Sequence, residues 1–156
     1  MTVTAQRPME VGVTADPRSL ISPELLARLA GRIASEQICT EQHAEQVMLQ
    51  ALGFLKACAL NPGAGLAPSE AVDIGWHTFI LHTREYADFC QRVAGRFIHH
   101  TPADPGESPH QAEAIGSTVA AMRAAGIEVD TALWVPVSKC SQCYAGCAND
   151  PKAAGA

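Results

Sequence analysis

The stretch TEQHAEQVMLQALGFLKACAL, residues 40–60, decides the fold. Ala44, Val47, Met48, Ala51, Leu52, Leu55 and Ala59 recur at three- and four-residue intervals, the spacing of a buried helical stripe. Thr40 is a suitable N-cap and Glu41 places an acid in the first turn. Asn61-Pro62-Gly63 is a breaker cluster, so the helix is predicted to stop near Leu60.

The same helical logic extends outward. Upstream, Ser22 is suited to N-cap, Pro23 to the first helical position and Glu24 to the first turn. Leu25, Leu26, Leu29, Ile33 and Ile38 follow at helical spacing, with Gly31 weakening the middle. Residues 1–18 show no periodicity and read as a flexible leader. Downstream, Ser69 and Glu70 open a third helix whose apolar face is Val72, Trp76, Phe79 and Ile80. Thr83 is predicted to cap a short helix carrying Tyr86, Phe89, Cys90 and Val93, with Gly95 as its terminator. Phe97 to His100 is expected to be extended, and Pro102 and Pro105 enforce a non-helical stretch. A last helix is predicted over residues 108–125, capped by Ser108 with Pro109 at its first position and stopped by Gly126. Residues 127–137 are expected to form a short strand or an extended arm. The expected fold is all-α: a single-domain bundle of about five helices over residues 19–137, with a cysteine-rich C-terminal extension at 138–156.

Composition narrows the function classes. A chain of 156 residues is most simply one domain, long enough to bury a core without disulfides. The net charge is −5 and the Lys and Arg residues are scattered, so the clustered cations of a nucleic-acid binder are missing. Aromatic residues at 5% also argue against a base-stacking surface. No run approaches the ~20 apolar residues that cross a bilayer, and the N-terminus lacks a secretory apolar core. The expected compartment is the cytoplasm, where six cysteines are thiols or metal ligands rather than structural disulfides. Charged residues at only 17% leave surface for an unidentified protein or small-molecule partner.

Chemistry is concentrated in VDIGWHTFILHTREYADFCQRVAGRFIHHTP, residues 72–102, which holds four of the six histidines. Asp73 and His77 are four apart and share a helical face, so the carboxylate can hold one imidazole nitrogen while the other binds a metal. His77 and His82 are five apart, a rotation of ~140° on an unbroken helix; they converge only if the helix ends before Thr83. His99 and His100 are adjacent, and in an extended chain they point to opposite faces, so one of them is expected at the site. The expected metal ligands are His77, His82 and one of His99 or His100, with Asp73 orienting His77.

A second cluster, CSQCYAGC, contributes Cys140, Cys143 and Cys147. Thiolates at C-x2-C spacing suit zinc, Cu(I) or iron–sulfur clusters, but a closed zinc site needs a fourth ligand. Cys39 and His43, an i, i+4 pair, could complete it or be incidental. Zinc is the first expectation as cofactor, with iron or copper as alternatives.

The segment 72–102 resembles the bacterial glycine-rich domain-containing-protein-like family, whose members carry V-D-x-x-W-H, then T-x-x-Y-x-x-F-C, then G-x-F-I-H-H-x-P. The preceding APSE and ALGFLKACA are similar too, and the resemblance covers residues 20–103. It implies a small α-helical protein with Asp73, His77, His99 and His100 as site positions, and brings no defined activity. Many members read W-H-x-H followed by aspartate; here Phe79 replaces the second histidine and His82 stands at the aspartate position.

Taken together, the residues point to a metal-binding protein, with a small histidine-lined metalloenzyme as one form of it. The alternatives are a non-catalytic adaptor with structural zinc and a thiol redox or copper-handling module.

Overall fold

The computed structural model describes residues 16–101 and 111–135. Five α-helices make up the bundle: α1 Pro23–Gln37, α2 Glu41–Leu60, α3 Glu70–Leu81, α4 Thr83–Ala94 and α5 Gln111–Ala124. Two 3-10 turns, Pro17–Leu20 and Thr131–Leu133, precede and follow them, and the described residues contain no strand. The fold is all-α. The cysteine extension at 138–156 and most of the predicted leader lie outside the described residues; Pro17 and Arg18 belong to the first 3-10 turn.

The helix starts follow side-chain capping. The hydroxyls of Ser22, Thr40 and Ser69 accept from the amides of Leu25, His43 and Val72, satisfying backbone donors that a helix start leaves over. Gly95 and Gly126, both with positive φ, close α4 and α5. After α5 the Ile127 amide donates to the Met122 carbonyl and the Gly126 amide to Arg123, which turns the chain out of the helix.

α2 is the central element, packed against α1, α3, α4, α5 and the first 3-10 turn. Its buried set is wider than one stripe, taking in Leu49, Gln50, Gly53 and Phe54 as well as the predicted positions from Ala44 to Leu55. Two glycines permit the close approaches. A Cβ on Gly75 of α3 would stand 2.8 Å from the Ala51 Cβ and 3.1 Å from the Val47 carbonyl oxygen. One on Gly53 would stand 2.9 Å from Ile127 and from Met122.

Three local expectations are corrected. Ile38 is not in the α1 stripe: it is the C-cap, left-handed at φ 51° and 93% exposed. Cys39 then lies before Thr40, outside both helices, so it is not a helical partner of His43. Thr83 does not cap α4; it is already helical, and His82 alone links α3 to α4, ending one and preceding the other with no side-chain cap bond.

Residues 127–135 form an arm with a 3-10 turn rather than a strand, held by two buried side chains: the Ser69 hydroxyl donates to the Leu133 carbonyl at 2.5 Å, and Gln50 makes the remaining bonds. Gln50 donates to the Glu128 carbonyl (3.0 Å) and accepts from the Asp130 amide (3.2 Å) and the Trp134 indole N–H (2.8 Å). A buried amide with its polar atoms matched in this way fixes the arm's position, because any slip would leave it unsatisfied.

Candidate metal centre

α3 carries Asp73, Trp76 and His77 within little more than one turn, and its N-terminal capping fixes their direction. Asp73 and His77 share a face, with Asp73 Oδ2 and His77 Nδ1 3.5 Å apart. The third member comes from the chain after α4. His100 Nε2 donates to Asp73 Oδ1 at 2.7 Å, and the His77 and His100 rings lie 4.3 Å apart, centroid to centroid. One ligand atom from each of Asp73, His77 and His100 falls within 4.8 Å of the other two, the only such group of three among the described residues. The His100 side chain is 13% exposed, Asp73 28% and His77 57%, so the cluster is half-sunk, opening to solvent on the His77 side.

His100 reaches Asp73 because its segment is tied down. The Tyr86 hydroxyl, 1% exposed, donates to the Ile98 carbonyl at 2.6 Å and accepts from the Trp76 indole N–H at 2.9 Å. Ile98 is buried, and Arg96 donates to the Cys58 carbonyl at 3.0 Å. Trp76 then lies against His100, with ring centroids 4.3 Å apart. Burial pushes the Tyr86 phenol well above its ordinary range, partly opposed by the Trp76 hydrogen bond, so it remains a neutral donor. Burial likewise pushes the Cys58 thiol up to about 12, with Arg96 pulling the other way, which leaves it a poor nucleophile.

The other predicted ligands are placed differently. His82 stands at the helix junction with its Nδ1 3.4 Å from the Arg28 guanidinium, which also approaches Glu85 at 3.5 Å. A guanidinium only donates, so that nitrogen is engaged as an acceptor. His82 Nε2 is buried without a hydrogen-bond partner. The break between α3 and α4 does not swing His82 toward His77; its ring turns to α1 instead. His99 is exposed and lies against Phe97, while the chain's alternation sends His100 inward. Cys140, Cys143 and Cys147 lie outside the described residues. Asp73 contacts both imidazoles rather than His77 alone, the shorter contact going to His100. A groove lined by Ser19, Leu20, Ser22, Leu25 and Arg92 contains no member of the cluster.

Trp76 and Tyr86 were legible only as core residues. The signal pointing further is that a buried indole N–H and phenol O–H each need a partner.

A family model described as UCP032817-like matches residues 20–120. This match corrects the family reading made from the histidine segment: the chain is not assigned to the glycine-rich domain-containing family, and the comparison of Phe79 and His82 with that family's histidine and aspartate falls with it. Phe79 is a fully buried core residue against Tyr86 and Phe89. No curated protein and no solved structure matches the chain.

Proposed function

We propose that this chain, which belongs to the UCP032817-like family, binds a divalent transition-metal ion through Asp73, His77 and His100. The observation that carries the reading is the convergence of one carboxylate and two imidazoles from separate parts of the chain within 4.8 Å. Ligand atoms held 2.0–2.2 Å from a tetrahedral zinc lie about 3.4 Å apart. Asp73 Oδ1 lies 2.7 Å from His100 Nε2 and Asp73 Oδ2 3.5 Å from His77 Nδ1, so each carboxylate oxygen faces one imidazole at a separation of that order. The proton on His100 Nε2 occupies the position a cation would take, so binding exchanges a proton for the ion.

Two imidazoles and a carboxylate suit zinc first, and iron or copper next. Three protein ligands leave coordination positions open, as catalytic sites do, and the exposed His77 side is where a water or substrate oxygen would enter. The chemistry such an ion supplies is polarisation of a bound oxygen or activation of water. Cys140, Cys143 and Cys147 would form a separate thiolate site in this reading.

The test is elemental analysis and zinc titration of the full chain, with Cys140, Cys143 and Cys147 changed to Ser so that the histidine centre is read alone. One equivalent of metal is expected, lost in His100→Ala and retained in His82→Ala. Undiminished binding in His100→Ala overturns the assignment; no binding in the parent favours a non-catalytic adaptor.

A further inference from the structure

Resting on that reading, we infer that Tyr86 is a positioning residue for the metal centre: its hydroxyl holds the segment carrying His100 at the one place where Asp73 can reach the imidazole. The phenol has one proton to give and here also accepts from the Trp76 N–H, with the Cys90 thiol as a further hydrogen-bonding neighbour. The proton goes to the Ile98 carbonyl and the acceptor position takes the Trp76 N–H. That arrangement leaves the ring little freedom, and the ring is fully buried against Phe79 and Phe89.

The consequence runs along the chain. His100 is two residues beyond Ile98, a reach of at most about 7 Å. No helix or strand holds residues 96–101, so their position depends on side-chain anchors. Arg96 fixes the near end on Cys58, Tyr86 fixes the middle, and Asp73 meets the far end. Trp76 belongs to both systems: its N–H orients Tyr86 and its ring lies against His100. Since Trp76 sits beside His77 on α3, one helix supplies two ligands and the plate that orients the third. Losing the Tyr86 hydroxyl frees the Ile98 carbonyl and lets His100 drift, while Asp73 and His77 stay on their helix.

The experiment uses the full chain with the three C-terminal cysteines changed to Ser, and Co(II) as a visible-absorbing probe. Tyr86→Phe is expected to weaken Co(II) binding about tenfold, the scale of removing a supporting contact behind a metal ligand, and to alter the ligand-field spectrum. Trp76→Phe keeps a ring against His100 and removes the N–H; it should weaken binding severalfold, and it decides the matter if Tyr86→Phe does not fold. Ile33→Ala, a core truncation on α1, which carries none of Asp73, His77, Tyr86 and His100, controls for general destabilisation and should leave affinity unchanged. Parent-like binding by Tyr86→Phe, or an equal loss in Ile33→Ala, overturns the inference. A separate reading in metal-free protein distinguishes failure of the metal proposal from failure of this one. The NMR signal of the hydrogen-bonded His100 Nε2 proton should vanish in Tyr86→Phe and persist in Ile33→Ala, and its persistence in Tyr86→Phe overturns the positioning role whether or not the parent binds metal.

Discussion

Asp73 does two jobs that a single substitution can separate. Its carboxylate faces both imidazoles, yet the side chain is 28% exposed and half of its ion pairing is with the largely solvated His77. The exposed Asp73–His77 pair adds about 0–1 kcal/mol to the fold, and an Asn at this position still offers an acceptor to the part-buried His100. A metal ligand, by contrast, contributes to binding out of proportion to its stabilising role. Asp73→Asn keeps the shape and one acceptor oxygen and removes the charge. It should lower zinc affinity on the order of 100-fold while moving the melting temperature by no more than about 4 °C; calorimetric titration and a thermal melt check the two halves. Loss of folding without metal would show Asp73 to be a structural anchor instead. Legibility at this scale follows the range of the contact. The Asp73–His77 pair is readable because four residues make about one helical turn, and the alternation of His99 and His100 narrows the third position to one of two. Which way His82 turns is decided by Arg28 on another helix, and the return of His100 by Tyr86 on Ile98, and neither contact leaves a local trace in the sequence.

Helix against helix, the bundle is specified by where it has no side chain. Gly31 and Gly75 both sit inside helices and look alike in the sequence, where each only lowers helix propensity. Their surroundings are opposite. A Cβ at Gly31 meets nothing within 4 Å, whereas one at Gly75 runs into the Ala51 methyl and the Val47 carbonyl of α2, both held by a helix backbone that cannot step aside. Gly31→Ala should therefore stabilise by about 0.5–1 kcal/mol. Gly75→Ala should destabilise by about 1–3 kcal/mol, the overpacking cost exceeding the propensity gain. Urea unfolding of the pair measures both, and a stabilising Gly75→Ala would contradict the close α2–α3 crossing. Because α3 carries Asp73 and His77, the same variant should also weaken metal binding, which Gly31→Ala should not. The helices themselves were legible from caps and breakers, since Ser22, Thr40, Ser69, Gly95 and Gly126 act locally. Ile38 and Thr83 depart from expectation because hydrophobicity and hydroxyl chemistry alone do not reveal that a helix has already ended or already begun.

For the whole molecule, the buried acids set an alkaline limit. Burial lifts the Cys58 thiol from 9.0 to about 12 and the Tyr86 phenol above its usual range. In the unfolded chain both groups ionise near their ordinary values. Between pH 9 and 12 the unfolded state therefore holds fewer protons than the folded one, and the slope of stability against pH is negative. The contribution is fully present below pH 9 and is lost as the pH climbs toward the folded values. Each such group removes at most about 1.4 kcal/mol per pH unit in that window. The expected outcome is a urea midpoint nearly constant from pH 7 to 8.5 and falling by pH 10.5, with a shallower fall in Cys58→Ala, where one of the two acids is gone. The Tyr86 share couples this limit to the site: ionising the phenol removes the proton donated to Ile98, so His100 should be released from Asp73 as the fold begins to loosen. Following the His100 Nε2 proton by NMR alongside global unfolding checks that order of events. A midpoint flat to pH 10.5 in the parent chain would mean that these two acids are hydrated in solution and that Tyr86 is not sealed beneath the histidine segment.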